Sequence, residues 1–342
     1  MTAVKQLFAG LLYINMLVIG FALYLVTKKT PAFAYQSMIR LFCLTKGYSN
    51  DYLSRLIGVF RRPYRFHDAA GILGDMSDAS RRASIVSSLR DRGFYVFEKR
   101  LPDKICDRLL QYATSHRCQA SPMDEQRYSE PVWAVYRRNK TQAVRYEFSA
   151  NDLLANHDVQ AILADLSFAA IAQDYLGAKP VIDVLSMWWL TDFSNKPDSK
   201  AAQYFHFDMD RPKWLKVFIY LTDVGAMSGP HTFIAGSHKS GRIPTCLLSK
   251  GYARLSDEEV SRVFDKRDII EFTAPRGTII VEDTRGLHKG KQVEQGDRLI
   301  LQIQFSNCLF GGVYPKASLN GSITPELSKK MIEFPSLYSA YL

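Results

Sequence analysis

From Val181 onward the chain is written in short runs of β-branched and aromatic residues. They read "PVIDVLSMWWLTDF", "AQYFHFDMD", "WLKVFIYLTDV", "HTFIAG", "DIIEFTA", "GTIIVED" and "RLILQIQFS", separated by Gly, Pro and Asp turns. Strand side chains alternate between two faces, so such runs cannot settle as helices and must pair. Many short strands in one stretch predict a double-sheet barrel or jelly roll. One helix interrupts them, "SDEEVSRVF", with Ser256 and Glu259 in capping-box spacing.

Upstream the period changes. Ile85, Leu89 and Val96 lead into "LPDKICDRLLQYATSH", and together they predict helix between about 78 and 118. A second helical run, "DLLANHDVQAILADLSFAAIAQDYLG", stops at Gly177. With 342 residues, 47% of them hydrophobic, the chain can bury an enzyme-sized core.

Leu7 to Val26 carries no charge and is long enough as a helix to cross a hydrocarbon core of ~30 Å. Lys5 and Lys28–Lys29 bracket it. A buried core helix is one competing reading. A cleaved signal peptide is another, since "AFA" at 32–34 resembles a cleavage site. The apolar run is longer than a usual signal core of ~7–15 residues, and two lysines separate it from that site, so an uncleaved anchor is expected. The following "YQSMIRLFCLTKGYSNDYLSRLIGVFRRPYRF" mixes cations with apolar residues, and suits either amphipathic helices on an anionic leaflet or a hairpin packed on the body. The excess of cations after the anchor places the body in the cytoplasm.

Charge follows the same division. Residues 1–66 hold nine basic side chains and one acid, which is +8 of the net +10. The remaining 276 residues hold 35 basic and 33 acidic side chains, so the body has no spread basic face for nucleic acid. Five widely spaced cysteines without a CxxC pair speak against a disulfide framework or a thiolate zinc site.

Alternation in "YFHFDMD" puts Tyr204, His206, Asp208 and Asp210 on one face and Phe205, Phe207 and Met209 on the other. Three later features bear on that pair: "GPHTFIAGSHK" from Gly229, His288 just past the strand that begins at Gly277, and Arg298 heading the last strand. Two histidines and one carboxylate leave three positions open on iron(II). His231 and His238 compete with His288 as the second histidine, and Asp210 competes with Asp208. In the last strand, Arg298, Ile300, Gln302 and Gln304 share a face opposite Leu299, Leu301, Ile303 and Phe305. Likewise Leu215, Val217, Ile219 and Leu221 form an aliphatic face, leaving Trp214, Lys216, Phe218, Tyr220 and Thr222 opposite. One face of the strand carrying Met187, Trp188 and Trp189 should line the site.

In its ordered motifs the stretch from about 180 to 310 resembles the phytanoyl-CoA dioxygenase family of iron(II)- and 2-oxoglutarate-dependent oxygenases. The motifs are H-x-D at His206 and Asp208, the Gly229 to His238 segment ending in G-S-H, the distal His288, and Arg298. The resemblance implies a mainly β fold with N-terminal helices and a double-stranded β-helix core of the jelly-roll or cupin type, to which this chain adds a membrane helix. It implies that His206, Asp208 and His288 bind iron(II), that Arg298 pairs with the far carboxylate of 2-oxoglutarate, and that Phe218 lines the cosubstrate site. Lys216 and Tyr220 are further candidate contacts there, His238 is expected to hold its turn by hydrogen bonds, and Asp210 to bind an arginine or the substrate. Relatives that halogenate lack the carboxylate, so Asp208 points to hydroxylation, with O2 and 2-oxoglutarate consumed and succinate and carbon dioxide released.

The expected organisation is an anchor at 1–30, a basic amphipathic linker at 31–75, an oxygenase domain at 76–320 and a C-terminal tail at 321–342. The expected activity is hydroxylation of a hydrophobic, lipid or lipid-linked substrate by a membrane-anchored, cytoplasm-facing enzyme with no nucleic-acid partner. The alternatives are the same chemistry on a soluble small metabolite, and a non-catalytic membrane-bound binding module on an oxygenase-like barrel. The sequence does not fix the oligomeric state.

Overall fold

The alternating runs become two antiparallel sheets in a computed structural model of the chain, which describes residues 3–121, 132–319 and 321–342. A small ladder joins β1 (Ala70–Gly71) to β2 (Gly74–Asp75). The large sheet has eight strands: β3 (Phe94–Val96), β4 (Arg117–Ser121), β5 (Val132–Val135), β6 (Arg145–Glu147), β7 (Val181–Thr191), β8 (Trp214–Tyr220), β11 (Ile279–Glu282) and β13 (Asp297–Ser306). Their spatial order is β3-β11-β8-β13-β7-β6-β4-β5. The small sheet sets β9 (His231–Ile234) between β10 (Ile269–Phe272) and β12 (His288–Gly290).

Period-2 patterning sorts the two faces of the large sheet. Leu215, Val217, Ile219, Leu299, Leu301, Ile303, Met187 and Trp189 are buried against the helical layer. Burying a side chain of this size contributes roughly 1.5–3 kcal/mol. The opposite face offers Trp188, Leu190, Phe218, Tyr220 and Ile300, which meet Phe233 and Phe272 of the small sheet. The interior between the sheets is therefore aromatic, and the polar site residues are inlaid in it.

The helical layer comprises α4 (Ala79–Arg92), α5 (Asp103–Ser115), α6 (Ala150–Ala155), α7 (His157–Ala164) and α8 (Leu166–Leu176). Val96, counted with the helical pattern from sequence, lies instead in β3. Gly93, at φ +89°, ends α4, and the next three residues pair with β11. The second helical run is three helices, because the side chains of Asn156 and Asp165 cap new starts within it. Of the helix expected over Ser256–Phe264, Asp257–Ser261 forms, with both arms of its capping box.

Three N-terminal helices precede this layer: α1 (Ala3–Thr27), α2 (Ala32–Thr45) and α3 (Tyr48–Phe60). The segment Leu7–Thr27 of α1 is long and apolar enough to cross a membrane, and only 6% of its apolar window is buried. Its C-terminal half is docked: a Cβ at Gly20 would lie 2.0 Å from that of Ala34, so only glycine admits α2 here. Phe21 and Tyr24 pack edge-on against Phe310. Met38, Ile39 and Phe42 of α2 cover Phe205, Phe207 and Met209.

Candidate active site

The stretch 204–210 is not the strand its sequence predicts. Phe205 bridges Leu255 while His206 bridges His288, so successive residues pair with different segments and no continuous ladder forms. The alternation nevertheless survives, because the backbone stays extended. Phe205, Phe207 and Met209 are buried beneath α2, and His206 and Asp208 face the other way.

The His206–His288 bridge is the backbone of the site. The two residues exchange N–H to carbonyl hydrogen bonds of 2.9 Å each way. Their rings are then neighbours, with centroids 4.3 Å apart. Each Nδ1 lies 2.9 Å from a backbone carbonyl, that of Tyr204 for His206 and of Gly286 for His288. With Nδ1–H donated there, each Nε2 keeps a free lone pair, the arrangement that orients histidine ligands. Asp208 completes the group: His206 Nε2 lies 3.7 Å from its Oδ1, and His288 Nε2 lies 3.4 Å from its Oδ2. The three ligand atoms fall within 4.8 Å of one another, and all three residues are buried. This donor set suits iron(II).

Lys216 reaches this group from β8. Its Nζ is 2.6 Å from Asp208 Oδ2 and 3.1 Å from Asp210 Oδ2. Burial would raise the Asp208 carboxyl, but the Lys216 cation and the two histidines outweigh it and hold the group well below the usual carboxylate range. Burial pushes His206 well down, with His288 adding to the effect, against the Asp208 carboxylate. For His288, burial is outweighed by the Asp208 carboxylate, which raises it. The partner of Asp210 is thus a lysine and not an arginine. The nearby Arg211 pairs instead with Asp183, at 2.6 Å.

Arg298 is 1% exposed, yet among the described residues no carboxylate pairs with it. Its Nη1 donates to the Gly229 carbonyl, its Nε has no partner, and Tyr220 hydrogen-bonds to it. Burial pushes the guanidinium down to about 10. A Cβ at Gly290 would come 3.1 Å from its Nη2, so the bare glycine leaves room for the fork beside the strand carrying His288. A buried, planar, unpaired guanidinium fits an incoming carboxylate such as that of 2-oxoglutarate.

The other candidates fall around these. Phe218 faces the interior with its ring 4.7 Å from that of His231. The Tyr220 hydroxyl donates to the Phe272 carbonyl and accepts from the His231 N–H. His231 stands outside the ligand group because Glu282 holds its Nε2 at 2.9 Å. His238 does not hold its own turn. Ser237 does, donating to Ile234 and accepting from the Leu287 N–H, which ties the turn to the His288 loop. His238 bonds to the backbone at Arg90, and its Nδ1 has no partner. Trp188 lines a cavity of about 550 Å³ with Arg145, Glu147, Ser186, Gln302 and Tyr314.

Glu282 is the residue that sequence reasoning missed. It lies opposite Lys216 in the ladder and is fully buried, and burial pushes its carboxyl up to about 8. The available signal was alternation in "GTIIVED", which sets Glu282 on one face with Thr278 and Ile280.

Among curated proteins, none matches the chain. Solved structures do resemble it. EctD from S. alaskensis with bound iron is 17% identical over 77% of this chain and 90% of its own, with a TM-score of 0.48. HygX from Streptomyces hygroscopicus with nickel and 2-oxoglutarate bound is 13% identical over 70% of this chain and 94% of its own, with a TM-score of 0.45. The family described as phytanoyl-CoA dioxygenase (PhyH) matches residues 89–298. That span is well over half of the 342 residues, and the chain belongs to the phytanoyl-CoA dioxygenase family of iron(II)- and 2-oxoglutarate-dependent oxygenases.

Proposed function

We propose that His206, Asp208 and His288 hold the iron, that Arg298 takes the far carboxylate of 2-oxoglutarate, and that the chain hydroxylates an unactivated C–H bond of a hydrophobic, lipid or lipid-linked substrate. The observation that carries the chemical part is the pairing of a two-histidine, one-carboxylate cluster with a buried guanidinium lacking a carboxylate partner. When bound, iron and 2-oxoglutarate supply an oxidant from O2, with succinate and carbon dioxide as co-products. The chain's own residues prepare the place for it. The two carbonyls on Nδ1 fix the imidazole rings, Lys216 fixes the carboxylate, and Tyr220 with Gly229 aims Arg298. Phe218, Phe233 and Ile300 keep bulk water from the interior.

The membrane part is supported by the exposed apolar face of α1 and the cations that follow it. Residues 1–30 act as the anchor, 31–75 as the basic amphipathic connection, 76–320 as the catalytic domain and 321–342 as the C-terminal segment. The body faces the cytoplasm, as the cations at Lys28 and Lys29 favour. A second reading, a polar metabolite as substrate, is favoured by Arg145, Glu147, Ser186 and Gln302 in the wall of the 550 Å³ cavity.

Anaerobic titration of the full-length protein with iron(II) and then 2-oxoglutarate tests the chemistry. A weak visible charge-transfer band is expected for wild type and is expected to be absent for His206→Ala. Identical behaviour of the two would remove the assignment. Turnover of detergent-solubilised enzyme on lipid and on soluble substrate pools separates the two substrate readings.

A further inference from the structure

The helix α3 is apolar on both sides: Ile57 is buried against the body with Leu53 beside it, yet a second apolar face turns outward. Its buried residues include Asn50, 1% exposed, and Ser54, which bond to the Pro212 carbonyl and to Asn307 of the body. Its outward apolar residues are Tyr48, Tyr52, Leu56, Val59 and Phe60, with Tyr52 75% and Phe60 79% exposed, and Arg55 lies among them. Positions 48, 52, 56 and 60 recur every fourth residue and so form one stripe. A contiguous apolar stripe facing outward calls for an apolar medium, and the neighbouring α1 is exposed in the same way.

Beside that stripe lies a cavity of about 660 Å³, between α3, the last turn of α4, the end of α8 and three loops. It shares no lining residue with the histidine cluster or Arg298. Five cations line it, Arg55, Arg90, Lys213, Lys239 and Arg285, against one carboxylate, Asp51. Arg285 consumes that carboxylate, at 2.8 Å, and also pairs with Asp283 beneath. Lys239 pairs with the exposed Asp91. Among the described residues, no carboxylate lies within ion-pair reach of Arg55, Arg90 or Lys213. Lys213 donates to the Tyr175 carbonyl, which leaves two of its three ammonium protons over. Burial, with Arg285 adding to it, pushes Lys213 down to about 8, and a bound anion would oppose both effects. Arg55 and Val59 belong to the cavity wall as well as to the outer side of α3, so the mouth sits at the edge of the apolar stripe.

We propose that this cavity binds the phosphate of an anionic phospholipid head group, while the outward face of α3 rests in the acyl boundary of the same leaflet. Complementary charge in the cavity and apolar surface at its rim together fit one amphipathic molecule of that kind. The inference rests on the membrane-facing reading of the N-terminal helices and is independent of the oxidation chemistry.

The test uses full-length protein in a neutral detergent, with lipid retention read by native mass spectrometry. Phosphatidylglycerol is expected to be retained at one molecule per chain and at least tenfold more readily than phosphatidylcholine. Arg55→Glu combined with Arg90→Glu, both exposed positions, is expected to abolish that preference without moving the unfolding midpoint. Tyr52→Ser with Leu56→Ser is expected to weaken lipid retention as well. Equal retention of the two lipids by wild type would overturn the proposal without any variant. Displacement of the lipid by equimolar inorganic phosphate would overturn it too, because the site would then be one for a soluble anion. Iron binding and cell fractionation are unaffected by either result, so failure here is distinguishable from failure of the function proposed above.

Discussion

Replacing Arg298 by methionine should separate what this residue does to stability from what it does for 2-oxoglutarate. The guanidinium is fully buried and has no carboxylate partner among the described residues, and burial pushes it down from the ordinary arginine range to about 10. At about 1.4 kcal/mol for each tenfold change in proton affinity, the native state bears a penalty of about 3 kcal/mol. Because the folded value lies below the unfolded one, that penalty is present in full below about pH 10 and vanishes only once the pH passes the ordinary arginine range. Methionine fills similar volume without charge, so the protein without cosubstrate should unfold at the same temperature as wild type or higher. If Arg298 takes the cosubstrate carboxylate as proposed, that carboxylate should lose a two-pronged charged partner in a dry site, about 3 kcal/mol or roughly a hundredfold in affinity. Calorimetric melting without cosubstrate and anaerobic 2-oxoglutarate titration of the iron-loaded protein measure the two effects. Arg298→Lys keeps charge without the planar fork and should fall between. A methionine variant that binds 2-oxoglutarate within threefold of wild type, or that melts far below it without cosubstrate, would refute the reasoning.

Alanine at His206 or His288 should lower iron(II) affinity by more than about 100-fold, read by metal content after desalting, since even outer partners of ligands are worth about 10–100-fold. Lys216→Met strands Asp208 and Asp210 in the interior, and metal-free protein should lose about 3–5 kcal/mol in denaturant unfolding. Added iron(II) should restore part of that loss by replacing the missing positive charge. Burial works against ionised Asp283, but Arg285 outweighs it and brings the carboxyl down to about 2. Its contribution of about 2 kcal/mol is complete above pH 3.8 and is lost as pH falls through 2, so Asp283→Asn should flatten acid unfolding in that window.

The sheets were legible because alternation carries through β8 and β13, and through β7 from Val184 onward past the register shift at its start, so that the Leu and Ile of one face of each run meet one helical layer. His206 and Asp208 were legible for the same reason, although their segment is held by single bridges to two different partners. Hydrogen bonding was not legible. That Ser237 and not His238 holds the turn depends on the Leu287 N–H, fifty residues away. That Lys216 binds Asp208 and Asp210 depends on strand β8 passing beneath residues only eight and six positions earlier. Glu282 was hidden because a carboxylate at a strand end reads as a turn residue until its burial and its histidine partner are seen. In α3 the mixture of apolar and charged residues suited an amphipathic helix, but sequence alone does not say which face turns inward.

The backbone exchange between His206 and His288 has a consequence for the enzyme's life in a cell. Two segments separated by eighty-odd residues are clasped there by peptide groups, without calling on any side chain. We expect the fold to survive removal of the metal on that account, unlike domains whose metal is their fold. Iron starvation or chelation should silence the protein without committing it to proteolysis, and a standing pool of intact, idle enzyme would recover activity as soon as iron returns.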